Sequence, residues 1–127
     1  MDWRNEFLEK ELLEKCDFNI ENICSLAQFD IEVSQKVLTI LLEWACYSQN
    51  EASIKLGRNK ISEIPKDWLS SHLLNIVTCS FDYSDDWNYR RLLELVVELL
   101  PDNKAEFIEL NWGTANVDLK EVIDDFM

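Results

Sequence analysis

The residues best suited to recognition chemistry lie in one short stretch, Phe81–Arg91, which reads FDYSDDWNYRR. Aspartates alternate there with aromatic side chains, and two arginines follow. Trp, Tyr and Arg are enriched among protein-binding hot spots, and neighbouring carboxylates can pair with Lys or Arg of a partner. The stretch therefore predicts a protein-binding site made of Asp82, Tyr83, Asp85, Asp86, Trp87, Tyr89 and Arg90. The alternative is that the aromatic rings pack inward while an aspartate caps a helix.

A second distinctive stretch, ELNWGTANVD, runs from Glu109 to Asp118 and places Trp112 just ahead of Gly113. Turns separated by an even number of antiparallel helices return to the same end of a helical stack. We therefore expect this turn and the Asp82 turn to share one acidic surface. Its remaining members are predicted to be Trp112, Asp118, Glu121, Asp124 and Asp125. The alternative is that Trp112 closes the core beneath Gly113.

Catalytic and metal-binding patterns are weak in this sequence. The single histidine, His72, lies seven residues from Cys79, and seven residues of helix rise about 10 Å, too far for a nucleophile–base contact. The four cysteines form no CxxC pair, and we expect them to be reduced, mostly buried side chains. A calcium loop beginning at Asp82 would need glycine where Trp87 stands. We expect a chain without enzymatic activity, metal or cofactor.

The charge of the chain excludes some partners and favours others. There are 25 acidic and 12 basic residues, which gives a net charge of -13, and residues 81–127 alone hold 12 acidic and 4 basic residues. Nucleic acid is not an expected partner, because binding it needs clustered Lys and Arg. An acidic surface instead attracts basic proteins, although the excess charge could also serve solubility alone.

Helices must position these residues, since the chain has only two Gly and two Pro and shows helical apolar spacing throughout. The first helix places Trp3, Phe7, Leu8, Leu12 and Leu13 on one apolar stripe, at residues 3–15. Further helices are predicted at 20–29, 33–45, 50–61, 65–79 and 86–100, at a short segment between Pro101 and Gly113, and at 117–126. Asp30 or Ser34, Asp85 or Asp86, and Asp118 with Glu121 are the expected caps, and Gly57 is expected to interrupt its helix.

The expected fold is all-α, with residues 1–127 forming one domain of seven or eight short antiparallel helices. They stack either as a HEAT-like array of helical hairpins or as a compact bundle. The stretch 76–81 is rich in strand formers, but it continues the apolar face of the preceding helix, so we predict helix there to about Cys79. The first residues hold no uninterrupted apolar run, and no later stretch approaches the length of a membrane span. These features predict a cytoplasmic protein without a membrane segment.

Size, acidity, helical hairpins and the stretches FDYSDDWNYRRLLELVVELL and ELNWGTANVDLKEVIDDF together resemble one class of protein. They are similar to the small acidic all-helical immunity proteins of bacterial polymorphic-toxin and contact-dependent inhibition systems. The resemblance implies tight binding to a cognate toxin domain, often a nuclease with a basic cleft, and neutralisation without catalysis. The competing hypothesis is a helical structural adaptor or assembly subunit that binds another cytosolic protein. The sequence leaves the oligomeric state open.

Overall fold

The computed structural model describes residues 3–127, and every regular element in that range is helical. The prediction of an all-α chain is confirmed, whereas the HEAT-like order of the hairpins stays a prediction. The α-helices are α1 (Trp3–Cys16), α2 (Ile31–Leu42), α3 (Glu51–Ser62), α4 (Lys66–Ser80), α5 (Asp86–Leu99), α6 (Lys104–Glu109) and α7 (Val117–Phe126). Two 3-10 segments, Ile20–Gln28 and Pro101–Asn103, and a π-helical turn, Glu43–Tyr47, complete the described elements. Within residues 3–127, no helix has the length and apolar composition that crossing a bilayer requires.

The buried face of α1 is narrower than its sequence predicts. Leu8, Leu12 and Cys16 are buried at four-residue spacing. Trp3, Phe7 and Leu13, which were predicted to share that stripe, are each more than half exposed. The prediction is wrong for these three because one helix face can dock on its neighbours while the adjacent face stays outside. As a result, α1 carries two aromatic rings on its surface.

The predicted helix limits agree with the structure to within a few residues, and two predicted caps need correction. Asp85 caps α5 as predicted, because its carboxylate accepts a hydrogen bond from the Asn88 amide at 3.0 Å. Asn116, rather than Asp118, caps α7 by accepting from the Leu119 amide at 3.1 Å. Ser34 is not a cap, since it is buried and its hydroxyl donates to the Asp30 carbonyl at 2.8 Å. The prediction for residues 76–81 is confirmed, since α4 stays helical to Ser80.

Gly57 does not interrupt α3; it lets α3 approach its neighbour. The helix is continuous through Gly57, and a Cβ atom added there would lie 2.6 Å from the backbone nitrogen of Ala45 and 3.0 Å from the Leu41 carbonyl oxygen. Only glycine leaves room for this contact. The π-helical turn that follows α2 is thereby packed tightly between α3 and α5.

Helix α5 organises the C-terminal half of the molecule. It contacts the π-helical turn, the 101–103 segment, α6 and α7. One buried apolar cluster includes side chains from all seven α-helices. The N-terminus of α5, where the Asp82 turn ends, is therefore held by the core on one side and open to solvent on the other.

Candidate protein-binding surface

The turn between α4 and α5 presents its carboxylates outward while holding its own backbone in place. Asp82 is exposed, and its carboxylate accepts hydrogen bonds from the Ser84 amide and hydroxyl. The Asp82 amide donates to the Tyr47 hydroxyl at 2.8 Å. One carboxylate oxygen of Asp85 caps α5, and Asp86 is exposed in the first turn of that helix. Both ends of the turn are fixed, so Asp82 and Asp86 can meet a partner without prior ordering.

Trp87 is held at the surface with about a third of its side chain exposed. Its indole N–H donates to the Ser48 carbonyl at 3.1 Å. The Arg91 guanidinium lies over the ring, 4.5 Å from the ring centroid, in cation–π geometry. Arg91 also pairs with Glu94 at 3.4 Å, and Glu94 pairs with Arg58 of α3. An ionic cluster beneath the ring thus ties α3 to α5 and fixes the orientation of Trp87.

The assignment of Tyr89 to the binding surface is wrong. Its side chain is fully buried, and its hydroxyl donates to the carbonyls of Phe107 at 2.7 Å and Ile108 at 3.2 Å. Burial raises the pKa of the Tyr89 phenol to about 12. The side chain therefore fastens α6 to α5. Its spacing from Leu92, Leu93 and Val96, three, four and seven residues further on, is the sequence signal for the core.

The two predicted turns are neighbours in the structure. The side-chain amide of Asn111, next to Trp112, donates to the Tyr83 carbonyl at 2.7 Å. Arg90 of α5 pairs with Asp125 near the end of α7 at 2.8 Å. Tyr83 itself is half-buried against the core. Hence Arg90 and Tyr83 hold the surface together from beneath.

Trp112 lies outside the core, contrary to the alternative in which it closes the fold. Its side chain is 63% exposed, the largest exposed fraction among the tryptophans in the described part of the chain. It borders a shallow groove of about 430 Å³ together with Lys120, Ile123, Asp124 and Met127. Asp118, Glu121, Asp124 and Asp125 are all exposed along α7. An exposed indole beside the Asp124 carboxylate, near a helix that carries three further exposed acids, suits a basic, partly apolar partner surface.

A second aromatic surface was missed by the sequence analysis. The Trp3 and Phe7 rings of α1 meet edge-on with centroids 6.2 Å apart, and Phe7 lies 6.0 Å from Trp44 of the π-helical turn. The Trp44 indole N–H donates to Glu11 at 2.8 Å. A sequence signal existed, because Trp3 and Phe7 lie at four-residue spacing off the Leu8–Leu12–Cys16 stripe. Trp44 reaches this surface because it lies in the π-helical turn, and no local sequence pattern predicts that turn.

No protein family, curated protein or solved structure matches the chain.

The candidate reactive side chains are placed as structural residues. The His72 ring packs against Trp68 with centroids 4.6 Å apart. Burial raises the pKa of the Cys46 thiol to about 12, which keeps it protonated. Cys16 is also buried, but Cys24 and Cys79 are exposed, so the expectation of mostly buried thiols fits two of the four. Across residues 3–127, no three His, Cys, Asp or Glu side chains converge as a metal site would require.

Proposed function

We propose that the chain is a non-enzymatic, cytoplasmic binding protein that neutralises a cognate bacterial toxin, as an immunity protein does. One observation carries the proposal: the turns at Asp82 and Trp112 are joined at one end of the molecule, and together they present indole rings and carboxylates to solvent. The contact residues are Asp82, Asp86, Trp87, Trp112, Asp118, Glu121 and Asp124. Tyr83, Arg90 and Asp125 support the surface from within the chain, and Asp85 caps α5.

The electrostatics favour a basic partner, such as a nuclease-type toxin domain with a cationic cleft. The chain carries a net charge of -13, and its most acidic part, residues 81–127, contains the joined turns and α7. Such a field steers a cationic protein and speeds its association. An acidic surface with exposed indole rings would cover the cleft and exclude its substrate, so inhibition needs no chemistry from this chain.

A helical adaptor is the second candidate, and the surface of α1 favours it. Trp3 and Phe7 are each more than half exposed and in contact with one another. Apolar faces of this kind are common at assembly interfaces. An adaptor that uses this face would bind with little dependence on salt, whereas an electrostatically steered inhibitor would associate more slowly as salt is added.

The proposal is tested by expressing each reading frame that neighbours the gene for this chain and asking which one is toxic. The chain should form a stable complex with that product and abolish its toxicity. The double variant Asp86→Asn/Trp87→Ala should lose affinity by about 30-fold, since loss of a hot spot costs about 2 kcal/mol or more. Asp85 is left intact because its loss would destabilise the start of α5.

The matched control is Ile31→Ala/Glu32→Gln, which changes an exposed apolar residue and an acid in the first turn of α2. It removes one charge and one exposed side chain, as the Asp86/Trp87 pair does. Full protection by the control together with loss of protection by the interface variant would support the site. Equal affinity of the two folded variants would remove the site assignment, and recovery of a non-toxic housekeeping partner would favour the adaptor.

A further inference from the structure

A groove beside the π-helical turn joins the two aromatic surfaces. It has a volume of about 350 Å³ and is lined by Glu11, Glu43, Trp44, Tyr47, Ser48 and Ser53. Trp44 extends it toward Phe7 and Trp3 of α1. At its other end, the Tyr47 hydroxyl accepts from the Asp82 amide and the Ser48 carbonyl accepts from Trp87. Two residues that line the groove, Tyr47 and Ser48, are therefore in contact with the Asp82 turn.

The two carboxylates of the groove, Glu11 and Glu43, differ in their partners. Both oxygens of Glu11 accept hydrogen bonds: one from the Trp44 indole and the other from Lys15, both at 2.8 Å. Glu43 has no ion pair among the side chains of residues 3–127. Burial, followed by repulsion from Glu11, raises the pKa of the Glu43 carboxyl, and attraction to Lys15 opposes the rise. The side chain of Glu43 is exposed, so its carboxylate is accessible to an added cation.

We propose that this groove binds a Lys or Arg side chain of a basic partner protein, with Glu43 as its counter-ion and the Trp44 ring along its aliphatic stem. Charge complementarity selects this occupant: a carboxylate without an ion pair stands beside aromatic rings that favour cations and apolar stems alike. The inference rests on the proposed function only for the basic character of the partner. It adds a second contact, continuous with the first, that the toxin-binding surface does not require.

The test uses the full chain and a defined probe, the peptide acetyl-(Ala-Arg)4-amide, with acetyl-(Ala-Gln)4-amide as the neutral comparison. Binding is followed by the NMR signal of the Trp44 indole N–H. We expect the arginine peptide to shift this signal saturably and the glutamine peptide to leave it unchanged. In Glu43→Gln, the affinity should fall roughly fivefold, the effect of losing one ion pair worth about 1 kcal/mol.

Two variants make the result specific. Glu106→Gln removes the same charge from an exposed site on α6 and should bind the peptide as the wild type does. Ser53→Lys places an ammonium group in the groove and should weaken peptide binding even if Glu43→Gln altered the local fold.

Equal weakening by Glu43→Gln and Glu106→Gln would overturn the groove, since the peptide would then sense only total charge. A Trp44 signal that moves with protein concentration alone would show that a second copy of the chain occupies this face, and would overturn the proposal too. Neither result bears on the toxin test, which measures protection through the Asp82 turn. Failure of the toxin test likewise leaves the peptide result standing.

Discussion

Replacing Gly57 with alanine tests the packing that places the π-helical turn, and with it Glu43, Trp44 and Tyr47. In an ordinary helix interior this substitution stabilises by about 1 kcal/mol, because glycine is a poor helix former. Here the new Cβ would meet the Ala45 backbone nitrogen at 2.6 Å and its Cα at 2.9 Å. Backbone atoms cannot rotate away as a side chain can, so α3 itself must move.

Overpacking costs about 1–3 kcal/mol, and contact with backbone puts this site near the upper end of that range. After the helix-propensity gain, the net loss is about 2 kcal/mol. An unfolding entropy of about 2.1 cal/mol/K per residue then gives a fall in Tm of about 7 °C for a chain of this length.

Thermal unfolding followed by circular dichroism measures the effect. Asn59→Ala, at an exposed position of the same helix, is the control and should stabilise by about 0.5 kcal/mol through helix propensity alone. The two substitutions in α3 should therefore have opposite signs. A Gly57→Ala protein that melts at or above the wild-type temperature would refute the close approach of α3 to the turn.

Three further predictions concern two side chains that hold the candidate surface in place, Tyr89 and Asp85, and the accessibility of the cysteine thiols. Tyr89→Phe should lower the free energy of unfolding by about 1–2 kcal/mol in denaturant melts, because two buried carbonyls lose their donor. This difference from the wild type should shrink as the pH rises from about 10, the pKa of the phenol in the unfolded chain, through about 12, where the phenol of the folded wild type ionises. Asp85→Ala should cost about 1 kcal/mol in the same assay, whereas Asp85→Asn, which keeps a capping oxygen, should cost little. Labelling of the native protein with a thiol reagent should modify two cysteines rapidly, with peptide mapping placing the label on Cys24 and Cys79 and leaving Cys16 and Cys46 unmodified until the protein unfolds.

The helices could be read from the sequence because each one carries local signals. Asn19 and Asp85 are capping residues that mark where a helical segment begins. The apolar spacing from Tyr89 onward marks the face of α5 that the core covers. Such signals act over three or four residues and need no knowledge of the tertiary fold. The all-α fold class and most helix boundaries follow from them.

The roles of individual aromatic side chains could not be read in the same way. Trp87 and Tyr89 are two residues apart in one motif, yet one lies at the surface and the other is buried, because two residues turn a helix to a different face. Trp112 is exposed although the residues before it are held in place: Leu110 packs against the core and Asn111 donates to the Tyr83 carbonyl. Such outcomes depend on contacts between residues far apart in the chain.

Gly57 and the π-helical turn show the same limit for the backbone. Glycine inside a helix pattern lowers helix propensity, and from sequence alone this indicates a break. In the folded chain, Gly57 allows the close approach of the Ala45 backbone, twelve residues earlier. The same π-helical turn carries Glu43, Trp44 and Tyr47, which line the groove.

The proposed partner of the surface formed by the Asp82 and Trp112 turns is a basic protein. The association rate constant between this chain and the toxic partner can be measured by stopped-flow tryptophan fluorescence from about 0.05 M to about 0.3 M salt. We expect the association rate constant of the wild type to fall steeply with salt, and the dissociation rate constant to rise in Asp86→Asn/Trp87→Ala but not in Ile31→Ala/Glu32→Gln. An association rate constant insensitive to salt, with the two variants indistinguishable, would show that this surface does not bind the partner.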